Sequence, residues 1–574
     1  MYNNWIINKN DQKEKARHLA ESLDIPLRII EILMNRGIEE EEELRKMLYP
    51  SIDDMHDPFE MKDMEKGVRR IIKAVENHEK VMIFGDYDAD GITSTSLMYD
   101  FLKGEGIVPE YFIPNRVDDG YGLSRRGLDI AVDKNIDLLI TVDCGITGFA
   151  EIDYARKQGI DCIVTDHHEV LEKIPNATAV INPHRYDDRY PFKYLAGCGV
   201  VLKLIQGYKK MKGDDPADID KYLDLVALGT VADVVPLIDE NRIITYFGLK
   251  QFAQTRNLGI RALCDIAGVN RNKIAAFHIG FVLAPRINAV GRMSDASEAV
   301  KLFTTEDETE TRLIARDLDL ENRKRRKIDQ EVYEEAVELI ERDKLYNRNA
   351  IILANENWHE GVIGIVASRL VEKYYKPIIM ISMADGIGKG SGRSIPDFHM
   401  YDALVQVDDL LESFGGHKLA AGISIKSNKL DEFRKKFEEL AQSGIEEISK
   451  TPTIEIDASL ELSEIDDNLE EKLKLLAPFG FGNPRPVFMS SDINVIGYPL
   501  MLKDRHMRFV VGNNDCSFDS IWFNNGKEMI ADLIDPESVI DIAYYIKRNN
   551  FQGKNEIQLQ IKDIKIRDLE SDEE

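Results

Sequence analysis

Short apolar runs punctuate the first half of the chain at regular intervals. Val81–Phe84, Val108–Ile113, Leu138–Val142, Cys162–Thr165 and Ala179–Ile181 read as strands, and fully apolar short runs are the mark of parallel strands covered on both faces. Ser124–Lys134 and Gly148–Gln158, between them, carry apolar residues at helical spacing. This alternation predicts an α/β domain with a parallel sheet over residues 51–305. Gly and Pro are then absent from Arg292 to Glu360, which predicts a long helix over 306–345, or two helices with a tight joint, spanning about 60 Å if continuous.

A second α/β domain is expected over 346–450. Its strands are Ala350–Ala354 and Pro377–Ile381, with helices at Ile363–Glu372 and Asp431–Ala441. Gly386–Ser394 and Phe414–Gly422 read as glycine-rich turns. Over 451–566 the pattern changes to alternation of period two, at Thr453–Ala458, Ile493–Gly497, His506–Val511, Ser520–Phe523, Ile540–Lys547 and Ile557–Ile566. That predicts a small antiparallel barrel of about five strands, with Pro478–Pro486 as a rigid lead-in. Residues 1–50 read as a helical segment, with Asn10-Asp11 capping a helix through Leu23 and Pro26 opening a second. Residues 567–574 form an acidic tail.

The totals narrow the class. A chain of 574 residues exceeds one core, so several domains are expected. The net charge of -28 argues against a nucleic-acid coat, although an enzyme with a local basic channel remains compatible with it. Metal-binding carboxylates enter that sum as bare charges. The basic block Arg323–Lys327 suits either a solvated helix face or phosphate contact. Five scattered cysteines without a CxxC pair fit a reducing, cytoplasmic compartment. No apolar run approaches a membrane span, and no membrane role is expected.

The candidate chemistry lies where the apolar runs end. Val81–Phe84 leads into Asp86-Tyr87-Asp88-Ala89-Asp90-Gly91, with carboxylates at every second position. We expect the Asp stretch to be the loop, Gly91 to let it turn, and a helix to begin after it. Leu138–Val142 ends in Asp143, Cys162–Thr165 in Asp166-His167-His168, and Ala227–Ala232 in Asp233. Parallel strands gather such loops at one sheet edge. Several carboxylates with imidazole and no thiolate favour Mn2+ or Mg2+. Bridging carboxylates suggest two ions, which would activate water and stabilise the attacking and leaving oxygens of a phosphoryl centre.

Asp166-His167-His168 together with Asp86–Gly91 resembles the DHH phosphoesterase superfamily. Pro114-Asn115-Arg116 with Gly120–Leu123, Gly229–Leu237, Pro285–Ala289 with Gly291-Arg292, Gly390–Ser394, Gly415-Gly416-His417 with Ala420–Gly422, and Pro478–Pro486 resemble its RecJ branch. The resemblance implies a DHH domain and a DHH-associated domain joined by the long helix and followed by an OB-fold barrel. It implies a single-stranded-DNA-specific exonuclease that works 5′ to 3′, releases mononucleotides and serves recombination and repair. Asp86, Asp88, Asp90, Asp143, His167 and Asp233 would hold the metals. His168 would contact the scissile phosphate or support the site, and Asp166 would brace an imidazole.

Arg116, Arg286, Arg292 and Arg393 suit forked phosphate contact, as each also suits a salt bridge. Asn288 joins this substrate-binding set. Ser391, Gly392 and Arg393 would pocket a 5′-phosphate, Gly415, Gly416 and His417 would offer backbone N–H groups, and Tyr121 would stack on a base or pack. The long helix would hold the α/β domains apart around a passage too narrow for duplex. Expected partners are single-strand-binding protein and a RecQ-type helicase, with the enzyme itself a monomer. Rival readings are a DHH phosphodiesterase of short oligonucleotides or cyclic dinucleotides, an inorganic pyrophosphatase, and a non-catalytic replication scaffold.

Overall fold

The computed structural model describes residues 3–8, 12–115, 119–120, 122–170, 173–293, 296–444, 451–503, 505–513, 515–524, 538–549 and 555–566. The two expected helices occupy Lys13–Leu23 and Leu27–Asn35, a third covers Glu41–Leu48, and Asn4–Ile7 is a strand, β1. It pairs in parallel with Thr453–Ile456. The β-prone Asn-Trp-Ile-Ile run finds its partner far along the chain, and nothing local marks it. The Asn10-Asp11 cap lies outside the described residues.

The chain divides into two compact units, one built from residues 12–322 and 471–485, the other from the remainder. The first unit holds a sheet of five parallel strands: β2 (Val81–Phe84), β3 (Glu110–Phe112), β4 (Leu138–Val142), β5 (Asp161–Thr165) and β6 (Ala179–Ile181), in the order β3-β2-β4-β5-β6. β2 and β4 are buried along their whole length, which is why they read as uninterrupted apolar runs. Helix Ala89–Gly104 is buried along most of its length. Its Ala, Gly, Ser and Thr residues let the neighbouring helices close in around it. Residues 471–485 belong to this unit: Leu237 N–H donates to Phe481 O at 2.7 Å, and buried Arg242 donates to the carbonyls of Leu475 and Leu476. The expected lead-in thus braces the segment that follows Asp233.

In the second unit, β7 (Ile351–Asn355), β8 (Ile378–Ala384), β9 (Ile387–Arg393), β10 (Ser413–Gly416) and β11 (Ala420–Lys426) form a sheet in the order β10-β11-β9-β8-β7. Only β7 and β8 pair in parallel. The two expected glycine-rich turns are therefore mainly strands. A Cβ on Gly388 would stand 2.6 Å from Ile381, and one on Gly390 2.6 Å from Ile423. These glycines answer close packing, not a turn.

β12 (Thr453–Ile456) belongs with β1, not with the barrel. β13 (Ala458–Ser459) adds to β14 (Phe488–Leu502), and β15 (His506–Gly512), β16 (Ser517–Trp522), β17 (Val539–Asn549) and β18 (Glu556–Ile566) complete the ring. The order β14-β15-β16-β18-β17 closes through a β14–β17 pairing, giving a five-stranded OB-type barrel. It is not wholly antiparallel, because β16 and β18 run parallel. Long β14 bends at two register shifts and so serves both neighbours. One helix, Glu308–Arg342, runs continuously between the α/β domains, about 50 Å at 1.5 Å per residue. The basic block within it is mixed: Lys327 pairs with Glu331 one turn on, whereas Arg325 is buried.

Candidate metal centre

Asp86, Asp143 and Asp166 follow the carboxyl ends of β2, β4 and β5, so parallel pairing alone brings them to one edge. The helix after β2 begins earlier than expected. Asp88 is its N-cap, accepting from the N–H groups of Asp90 and Gly91 at 2.9 and 3.0 Å. Asp90 therefore lies in the first helical turn. Gly91 is helical too: a Cβ there would stand 2.4 Å from Asp86 O. Its task is close approach, not turning. Asp86 accepts from Tyr87 N–H at 2.8 Å.

The carboxylate of Asp90 has both oxygens engaged by another element. Gly197 N–H donates to Oδ2 at 2.6 Å and Cys198 N–H to Oδ1 at 3.0 Å. These are the first residues of helix Gly197–Lys212, whose dipole favours the negative charge. This support escaped the sequence reading. Its only signal is the small run Ala196-Gly197-Cys198-Gly199 before an apolar helix.

Asp143 stands in the left-handed region at φ 60°, which Asp tolerates better than most residues. Gly197 faces it so closely that a Cβ would lie 2.5 Å from Asp143 Oδ1. Asp233 arrives differently, just after helix Leu223–Ala232 and not from a strand. Val234 next to it is left-handed at φ 62°, a strained conformation for a β-branched residue. Asp166 accepts from four donors: Ile146 N–H at 2.9 Å, His167 and His168 N–H at 2.7 and 3.1 Å, and the His168 ring Nδ1 at 2.7 Å. It braces the histidine pair, as the resemblance implies.

The ligand-type atoms converge. His167 Nε2 lies 3.1 Å from Asp143 Oδ1, 3.6 Å from Asp233 Oδ2 and 3.9 Å from Asp90 Oδ2. Three overlapping clusters each place their ligand atoms within 4.8 Å of one another: Asp86, Asp88 and Asp143; Asp90, His167 and Asp233; and Asp143, His167 and His168. Asp143 Oδ1 and His167 Nε2 are buried and have no hydrogen-bond partner. Burial, then the neighbouring carboxylates, pushes Asp143 and Asp233 well above the usual carboxylate range and Asp86 up to about 8. Burial lowers His167. Burial would lower His168 as well, but Asp166 and the other acids outweigh it and raise His168 to about 9. Buried, mutually repelling carboxylates facing a neutral imidazole are a site completed by cations. The donor set fits two hard divalent ions, held among Asp86, Asp88, Asp90, Asp143, His167 and Asp233.

The expected substrate contacts divide. Arg116 and Tyr121 lie outside the described residues, as does the side chain of Arg292. Arg286 is not open to a phosphate: its guanidinium is largely buried, with Nε and Nη2 each 3.0 Å from Asp319 Oδ1 and Nη1 donating to Val282 O. Asn288 serves the metal loop, its Oδ1 accepting Ala89 N–H at 2.7 Å. Gly291 presses on the same loop, where a Cβ would stand 2.4 Å from Tyr87 O.

In the second unit, Ser391 and Arg393 share one face of β9, with Arg393 Nη1 donating to Ser391 Oγ at 3.0 Å and to Gly392 O at 2.7 Å. Gly415 and Gly422 pair across β10 and β11, and Gly422 pairs with Ser391. The Cβ positions of both glycines face open space. The His417 N–H donates to Ala420 O at 2.8 Å, so it is not available to a strand as expected.

A parallel sheet with an aspartate loop after β2, an Asp-His-His turn at its edge and a helix-borne aspartate defines a DHH-type phosphoesterase. Comparison with known families agrees: residues 80–230 match the DHH family, N-terminal domain, 347–443 the DHHA1 domain and 456–563 the RecJ OB domain. The chain is 36% identical over 569 residues to the single-stranded-DNA-specific exonuclease RecJ of Bacillus subtilis (strain 168), spanning 98% of this chain and 71% of that one. It is 34% identical to the protein of the same name from Escherichia coli, spanning 96% and 98%. The chain belongs to the RecJ family. The crystal structure of Thermus thermophilus RecJ in complex with Mn2+ superposes with a TM-score of 0.83 at 26% identity, covering 98% of this chain and 80% of that one. A manganese-bound exonuclease RecJ, 32% identical, matches 67% of this chain and 95% of its own with a TM-score of 0.57.

Proposed function

We propose that this protein is a single-stranded-DNA-specific exonuclease using two Mn2+ or Mg2+ ions, removing mononucleotides from the 5′ end in recombination and repair. The observation that carries this reading is the buried pair Asp143 Oδ1 and His167 Nε2, 3.1 Å apart, without hydrogen-bond partners, among carboxylates from four elements. Ions held there would supply water activation and charge compensation at a phosphoryl centre. The chain's own residues fix that geometry: Gly197 and Cys198 hold Asp90, Asp166 orients both histidines, and Asn288 and Gly291 pin the aspartate loop. His168, held by Asp166 and kept cationic, suits contact with a phosphate oxygen.

Arg393 and Ser391 support a pocket for a 5′-terminal phosphate, and the bare backbone at Gly415 and Gly422 supports close passage of a strand. The OB-type barrel favours a longer strand over the dinucleotides that a smaller phosphodiesterase would take. For domains, the reading assigns 51–305 to catalysis, 346–450 to substrate and 451–566 to strand binding. It places the enzyme as a cytoplasmic monomer working beside single-strand-binding protein and a RecQ-type helicase. Five unpaired cysteines support the reducing compartment, a single-strand enzyme needs unwound substrate, and the net charge of -28 makes help with DNA affinity useful. Among the described residues no helix is long and apolar enough to cross a membrane.

The deciding experiment is manganese-dependent digestion of single strands and duplexes labelled at either end. Early release of a 5′-labelled mononucleotide from single strands alone supports the reading. Release from the 3′ end, or efficient cutting of blunt duplex, rejects it.

A further inference from the structure

Residues Ala276–Met293 are helical throughout, but Ile279–Leu283 is a π turn. Pro285 accounts for it. Proline offers no N–H to the carbonyl four residues back, and its ring would strike that carbonyl. The inner side of the stretch buries Ile279, Leu283 and Ile287. Its later part grips the metal loop through Asn288 and Gly291. Gly280 faces Val231, two residues before Asp233.

The outer side carries Phe277 and Phe281, exposed by 61% and 66%. Their rings stack with centroids 4.9 Å apart and planes 27° from parallel. The charge pattern around them is a second observation. No Asp or Glu occurs between Asp265 and Asp295, while Arg271, Lys273 and His278 fall beside the two phenylalanines. Elsewhere the chain is strongly acidic, with 102 Asp and Glu in 574 residues. Exposed flat aromatics in a segment cleared of negative charge match a ligand that is both polyanionic and flat-faced.

We propose that Phe277 and Phe281 form a stacking platform for bases of the single strand a few nucleotides beyond the scissile phosphate. This rests on the exonuclease reading above. Phe281 precedes Asn288 by seven residues and Phe277 precedes Gly291 by fourteen, or about 10 and 20 Å along the helix. At about 3.4 Å per base, that is roughly three to six nucleotides from the metal loop. The platform gives grip on strands of that length and more, without reading sequence.

The test is the double variant Phe277→Ala/Phe281→Ala with Mn2+, on a 5′-phosphorylated 20-mer and a 5′-phosphorylated dinucleotide too short to reach the pair. We expect KM for the 20-mer to rise about tenfold or more, kcat to change less than about twofold, and the ratio of kcat/KM between 20-mer and dinucleotide to fall by the same tenfold. Tyr at both positions should restore it. Equal losses on both substrates, an unchanged KM or failure of the Tyr variant overturns the platform. If wild-type protein cuts neither substrate, the exonuclease reading fails instead. Anisotropy of labelled 20-mer in EDTA then judges the platform alone: binding lost in the Ala variant supports it, and equal binding rejects it.

Discussion

The carboxyl edge of the first sheet and the glycine-bearing face of the second use opposite physical strategies. At the first, Asp90 and Asp143 are almost wholly buried, backbone N–H groups hold Asp86, Asp88 and Asp90, and the carboxylates are crowded against their own charge. At the second, the Cβ positions of Gly415 and Gly422 meet open space, and Ser391 and Arg393 supply the polar groups. Bond-breaking chemistry needs groups held against repulsion, because preorganised charge acts without reorganisation. Holding a moving strand needs an unobstructed surface. The contrast explains why glycine recurs in both regions for different reasons: at Gly197 and Gly291 it admits another chain segment, and at Gly415 and Gly422 it leaves the strand surface bare.

Four substitutions probe that contrast. Asp143→Ala should lower hydrolysis on the order of a thousandfold while the protein folds. Its metal-free melting temperature should not fall, because a buried repelling group has gone. Addition of Mn2+ should raise the wild-type melting temperature by a few degrees and leave this variant nearly unmoved. Retention of a tenth of wild-type activity would exclude Asp143 as a ligand.

Gly197→Ala comes next, with an expected loss of roughly a hundredfold, the scale seen when a metal site's supporting contacts are disturbed. Its Cβ would press on Asp143 Oδ1, so Mn2+ titration should show weaker binding; wild-type affinity would break the argument. Arg393→Ala should act on the substrate instead. We expect about a tenfold rise in KM for 5′-phosphorylated strands and less than twofold for 5′-hydroxyl strands, and equal losses would remove the pocket. The smallest effect belongs to Gly415→Val, which should raise KM for long strands a few-fold with an unchanged melting temperature. A large loss of stability would mean that the face is packed, not open.

Much of the catalytic region was legible because its signals are local. A buried parallel strand is an apolar run, and the residue after it lies at the sheet edge whatever the rest of the chain does. That is why Asp86, Asp143 and Asp166-His167-His168 could be assembled from spacing. Arg286 and Asn288 could not be judged this way. Their side chains suit DNA, but Asp319 and Ala89 take them first, and sequence holds no record of that competition. Gly386–Ser394 failed for a related reason: glycine marks a turn by conformation and a tight strand by packing, and the letters are identical.

The sequence by itself determined the order of strands and helices in the first sheet, the kinds of ligand at each strand end, and the period-two alternation of the barrel strands. Tertiary structure decided which carboxylates meet, that Asp233 comes from a helix end, that backbone N–H groups of Gly197 and Cys198 support Asp90, and that β1 pairs with β12. The physical reason is range. Periodicity and strand-end position are set by neighbours a few residues away, whereas contacts between distant segments depend on which faces remain open once every element has packed.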